Sequence, residues 1–153
     1  MDQIDPIDRR IIQTLQSEGG LSNQDLAERV GSSAASCWRR VRALEEAGIL
    51  GPEVRLVDPA KLGRGLDVFC QIRLSAQTRK MRAAFEAFID RQEAVVECYS
   101  ISGDWDYLLH IVARDVADYE QVLMHGILDH EAIASSSSIF VLRRVKHTTA
   151  IPV

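Results

Sequence analysis

Along the first fifty positions the apolar residues recur at helical spacing and stop at glycines. Ile7, Ile11, Ile12 and Leu15 share one face and run into Gly19-Gly20, a period that predicts a helix. Asp5-Pro6 precedes them as a start signal: a capping carboxylate, then a residue whose missing N–H costs nothing in the first turn. Leu26, Ala27 and Val30 form a second stripe, opened by Ser22 with Asp25 three residues on and closed by Gly31. A third runs from the Ser32-Ser33 cap to about Ala47, with Gly48 in the stop position. Three short helices, two of them joined by a glycine-containing turn, predict a helix-turn-helix unit over residues 1–52.

The period then changes. Residues 53–65 read as an extended connector that includes Asp58-Pro59. Beyond it, Val68–Leu74, Val95–Ser102, Tyr107–Ala113 and Ile139–Val145 carry strand patterns. Gln77–Arg91 and Val116–Asp129 carry helical ones, the first with Met81, Ala84, Phe85 and Phe88 on one side. The order β-α-β-β-α-β predicts a ferredoxin-like sandwich over residues 66–153, both helices on one face of a four-stranded sheet. The expected fold class is therefore α+β. In YLLHIVA and SIFVL apolar residues do not alternate cleanly with polar ones, so both sheet faces call for burial. Two helices cover one face, and a copy of the same sheet is the economical cover for the other. A homodimer is expected.

Composition narrows the function. The 153 residues carry a net charge of −4, with 46% apolar and 26% charged residues, the balance of a soluble globular protein. No apolar run approaches a membrane span, and the opening MDQIDPID is too acidic for a secretory signal. Cys37, Cys70 and Cys98 form no CxxC pair, so neither a disulfide framework nor a zinc site is implied. A cytoplasmic, reduced protein is expected. Four scattered histidines fit no metal spacing, and there is no phosphate loop or nucleophile turn, so no cofactor is called for.

Residues 1–60 hold seven arginines and ten carboxylates, a net −3 that argues mildly against nucleic acid. Distribution outweighs the total. On the third helix Cys37, Val41 and Leu44 fall together as the core face, while Ala35, Trp38, Arg39 and Arg42 lie opposite and Arg40 lies near the boundary. With Ser33 and Ser36, they make a cationic face that is small at its N-terminal end and free of carboxylates before Glu45. Such a face suits a major groove, where arginine pairs with guanine or phosphate. Ser33, Ala35, Ser36, Trp38, Arg39 and Arg42 are the candidate contacts to double-stranded DNA. The plainer alternative is a solvated face with Arg42 paired to Glu46 and Trp38 packed on protein.

The run NQDLAERVGSSAASCWRRVRALEEAGIL resembles the DNA-binding segment of the Lrp/AsnC (feast/famine) family of transcriptional regulators. Ala34 and Ser36 stand where that family commonly has prolines, and Pro52-Glu53 where it often has Gly-Tyr. The resemblance continues in SGDWDYLL, Ser102–Leu109, and in the ending VLRRVKHTTAIPV. It implies a regulator of amino-acid metabolism with a C-terminal domain for small effectors, commonly amino acids. It also implies assembly beyond the dimer, up to an octamer, and an effector pocket where the SGDWD turn meets a partner subunit. Chemically, Gly103 lets backbone N–H groups face a carboxylate, and Asp104 or Asp106 accepts from an ammonium. Tyr107 follows in the same motif, and the resemblance adds Ser136 and Ser138 at positions where threonines are frequent. Glu131-Ala132-Ile133 replaces the usual Pro-Gly-Val on this wall. A bare hairpin turn is the alternative. Two other functions share the fold: an enzyme resembling sirohaem decarboxylases, and a metabolite-binding protein that has lost DNA affinity.

Overall fold

The computed structural model describes residues 4–153. The chain divides into two compact units, residues 1–56 with 145–153 and residues 57–144. The C-terminal stretch 145–153 therefore groups with the helices, where the sequence pattern continues the second domain to 153.

The first unit is built from three helices, α1 (Pro6–Ser17), α2 (Asn23–Val30) and α3 (Ala34–Glu46). Each starts at a side-chain cap: Asp5 accepts from the Ile7 N–H, Ser22 from Asp25 and Ser33 from Ser36. Gly31 ends α2 at φ +69°, a conformation that strains any residue with a Cβ. Ile11, Ile12, Leu26, Ala27, Val30, Cys37 and Leu44 form the core, with Val41 at its edge. Arg40 donates to Asp8 at 2.9 Å and lies 3.3 Å from Asp5, tying α3 to α1.

The second unit opens with a short 3-10 turn, Ala60–Leu62, and then adopts the β-α-β-β-α-β order. Its elements are β1 (Leu66–Leu74), α4 (Arg79–Ile89), β2 (Val95–Ser100), β3 (Tyr107–Ala113), α5 (Val116–Gln121) and β4 (Ile133–Phe140). The sheet is antiparallel throughout in the order β2-β3-β1-β4. Val68, Cys70, Ile72, Tyr107, Leu109 and Ile111 face Phe85, Ile89, Tyr119 and Ile127 from the helices. Ala84, expected on the packed side of α4, is exposed, and Ile89 takes that role. After Gln121 the helix widens over Val122–Ile127, where Leu128 N–H reaches back five residues to Leu123 O.

The closing strand differs from expectation. It runs Ile133–Phe140, so Ser135–Ser138 are strand residues, and Val141–Val145 lie beyond it. Serine has little strand preference of its own. Pairing with β1, from Val68↔Phe140 to Arg73↔Ser135, supplies ladder hydrogen bonds that override it. The opposite sheet face carries Phe69, Leu108, His110 and Val112, with Tyr99 and Ile139 each 49% exposed.

Candidate nucleic-acid interface and ligand turn

On α3 the cap at Ser33 sets the helix start, and Ala34 and Ala35 beside it are exposed. One turn on, Trp38 is 54% exposed and Arg39 stands outward with no ion-pair partner among the described residues. Arg42 is exposed and lies 3.7 Å from Glu45 rather than Glu46, too far for a hydrogen bond. Arg40, by contrast, turns toward α1, where hydrogen bonding to Asp8 raises its pKa. Neighbouring arginines thus have different roles: Arg40 fastens the helix, while Arg39 and Arg42 are left for something else. A depression of about 350 Å³ lined by Asp8, Ser36, Arg39, Arg40, Ala43 and Leu44 adjoins them. Ser36 is half-buried at its rim, so its side chain is less available than those of Ser33 and Ala35.

In the other unit, Gly103 adopts φ +110° in the turn between β2 and β3, with nothing within 4 Å of where a Cβ would stand. Glycine is there for its backbone, not for space. Arg73 Nε donates to the Asp104 carbonyl at 2.9 Å, and the guanidinium carbon lies 5.1 Å from the centroid of the Trp105 ring. The Asp106 carboxylate accepts from Leu74 N–H at 2.8 Å and from the Gln77 amide at 2.7 Å. Asp106 therefore holds the turn to β1, and Asp104 is the more exposed of the two carboxylates. Tyr107 is 2% exposed, its hydroxyl donating to Glu86 at 2.6 Å, and burial pushes the phenol well above its ordinary pKa.

Ser136 and Ser138 are not beside the turn. They lie on β4, separated from β3 by β1, in the rows of Ile72 and Cys70. Ser138 Oγ is 2.5 Å from the Tyr119 hydroxyl. Burial raises the Tyr119 pKa above its ordinary value and raises that of the neighbouring Cys70 thiol. One chain thus brings Gly103, Asp104 and Asp106 together and leaves the serines two strand spacings away, about 10 Å.

Sequence reasoning missed Arg73, Trp105 and Gln77 as the turn's frame. It also missed a charged cluster on the open sheet face. There His110 lies 2.8 Å from Asp67 and 3.2 Å from Glu97, stacks on Phe69, and Arg144 reaches Asp67 at 2.9 Å. Only pairing register brings these positions together, so no local motif announces them.

A helix-turn-helix with an outward cationic face, followed by a separate sandwich, defines a DNA-binding regulator that carries a ligand-binding domain. Comparison with known proteins agrees. The Lrp/AsnC ligand binding domain matches residues 67–151, and a winged helix-turn-helix DNA-binding domain matches residues 4–50. The chain is 34% identical to the leucine-responsive regulatory protein of Rhizobium meliloti, covering 99% of this chain and 97% of the relative. It is 32% identical to the glutamate uptake regulatory protein of Zymomonas mobilis, covering 98% and 91%. Among solved structures, a transcriptional regulator of Neisseria meningitidis in complex with L-Met superposes with a TM-score of 0.94. Identity there is 33%, covering 98% of this chain and 97% of that one. The chain belongs to the Lrp/AsnC family of transcriptional regulators.

Proposed function

We propose that the protein binds double-stranded DNA as a homodimer, in the cytoplasm, and that an amino acid bound near the Gly103–Asp106 turn alters this binding. The observation that carries the reading is the division of labour on α3. Arg40 is consumed by Asp8 and Asp5, whereas Arg39, with no ion-pair partner among the described residues, and Arg42, engaged only by a long 3.7 Å ion pair to Glu45, stay available beside Trp38 for phosphate or base edges. Ser33 and Ala35 let the helix's N-terminal end approach a major groove. Dimerisation is supported by the apolar residues on the uncovered sheet face, above all Tyr99 and Ile139. A second subunit meeting the exposed side of the turn, and further assembly to an octamer, are carried by the family resemblance. An amino-acid effector is supported by the L-Met bound to the Neisseria regulator. The activity is binding, and no reaction is assigned to any residue.

Effector action requires different affinities for two states, not merely tight binding. The experiment is selection of duplexes from a random pool by the full-length protein, followed by titration at several salt concentrations. Enrichment of one sequence, with binding that weakens steeply as salt rises, is expected. A protein that enriches no sequence, or binds independently of salt, contradicts the reading.

A further inference from the structure

Two opposite charges stand side by side at the turn between β2 and β3 without pairing. Arg73, near the end of β1, donates from Nε to the backbone carbonyl of Asp104 at 2.9 Å. Its guanidinium nevertheless forms no ion pair with the Asp104 carboxylate, or with any other among the described residues. Trp105 holds it elsewhere: the guanidinium carbon lies 5.1 Å from the centroid of that ring, within reach of the attraction between a cation and an aromatic face. Carbonyl and ring together fix the planar fork, while its terminal nitrogens make no hydrogen bond among the described residues. The Asp104 carboxylate is exposed and unpaired as well, whereas that of Asp106 is taken up by Leu74 N–H and the Gln77 amide.

A fixed guanidinium with open donors suits a carboxylate, and its charge-assisted hydrogen bonds are roughly twice as strong as those of a neutral backbone N–H. The sheet sets a hydroxyl beside it. Arg73 pairs in register with Ser135 of β4, and residues so paired have Cβ atoms about 5 Å apart. Ile72 and Leu74 turn into the core, so Arg73 and Ser135 share the opposite face. Ser138 is instead on the helix side, against the Tyr119 hydroxyl. One turn thus keeps a cation and an anion apart, and a small molecule that carries one charge of each sign neutralises both.

We propose that Arg73 receives the α-carboxylate of an amino-acid effector, with Ser135 as a second donor, while Asp104 receives its α-ammonium. This rests on the amino-acid reading above and names the groups by which the site recognises that class. Gly103 then shapes the turn, and the main carboxylate contact comes from β1. Free α-amino acids fit. Their α-amides lack the charge that Arg73 reads, and their N-acetyl derivatives lack the one that Asp104 reads.

The test is titration of the full-length protein with the common amino acids, by thermal shift and then calorimetry. The strongest binder is compared with its own α-amide and N-acetyl derivative. Wild type prefers the free acid to either by about tenfold or more, the worth of one charge-assisted hydrogen bond. Arg73→Gln weakens the free acid by a similar factor and leaves the amide unchanged, so that preference disappears. Asp104→Asn removes the preference over the N-acetyl form and keeps the preference over the amide. This crossed pattern separates lost contacts from a distorted turn, which weakens all three ligands alike. Ser135→Ala weakens the free acid by about threefold, and unchanged affinity there strikes the second donor. A wild type that binds the amide as well as the free acid overturns the assignment, as does an Arg73→Gln variant that keeps full affinity or weakens acid and amide equally. If no common amino acid binds the wild type, the effector reading itself falls, and this assignment with it.

Discussion

Asp106 is the turn residue whose removal has the most calculable consequence. Asp106→Ala removes the acceptor for Leu74 N–H and for the Gln77 amide. Leu74 is 5% exposed, so its N–H is left without water as a substitute. Losing a charged acceptor at a buried donor costs about 1.5–3 kcal/mol, and the exposed Gln77 hydrogen bond adds a few tenths. For a unit of this size each kcal/mol moves the melting temperature by about 4–8 °C, so the sheet unit should melt about 7–25 °C lower. Asp106→Asn keeps an oxygen for Leu74 but loses the charge, and should lose only about 1 kcal/mol. Trp105, adjacent to the turn, reports this unit by fluorescence once Trp38, the only other tryptophan, is replaced by Phe. An alanine variant that melts within about 3 °C of its parent would refute the assignment of Asp106 as the turn's fastening.

Phe85→Ala empties the centre of the sheet unit, where the ring is fully buried and its centroid lies 4.7 Å from that of Tyr107; it should cost about 3–5 kcal/mol, read as a lower urea midpoint with an unchanged slope. Ile139→Lys places a charge on the uncovered sheet face and should convert the proposed dimer to a monomer by sedimentation, leaving the melting of the isolated fold nearly as before. The Arg114 guanidinium and backbone N–H hold the Asp118 carboxyl below the usual carboxylate range. Because folding lowers this pKa, its stabilisation is complete above about pH 4 and fades as pH falls through the lowered value. Asp118→Asn should therefore be less stable than wild type at neutral pH, with the gap closing in acid, as followed by thermal unfolding across pH.

The helical unit was legible because its signals are local. Asp5-Pro6, Ser22, Gly31 and Ser33 each act within one turn of themselves, and the structure uses each as the spacing implies. The strand β4 was misplaced because its limits depend on β1, a partner about sixty residues away, while the apolar run Ile139–Leu142 draws the eye past it. The outward arginines followed from helical geometry, but Arg40's turn toward Asp8 needed the packing of α1 on α3. Similarly, Asp104 and Asp106 look equivalent in SGDWD; only the nearness of Leu74 and Gln77 commits one of them to the fold. Ser138 could not be known to face Tyr119 until the strand's register was fixed. The tail's pairing with Gln16 leaves no trace in periodicity, since it joins an extended segment to a single side chain.

The most direct measurement compares wild type with an Arg39→Ala, Arg42→Ala double variant on the selected duplex across a range of salt. Both side chains are exposed and weakly engaged, so the melting temperature should not move. Affinity should fall at least tenfold, roughly the 1.4 kcal/mol carried by one good interaction. The log–log salt slope should flatten by about 0.9 for each phosphate that is no longer neutralised. Unaltered affinity and slope in a fully folded variant would show that this helix face does not read DNA.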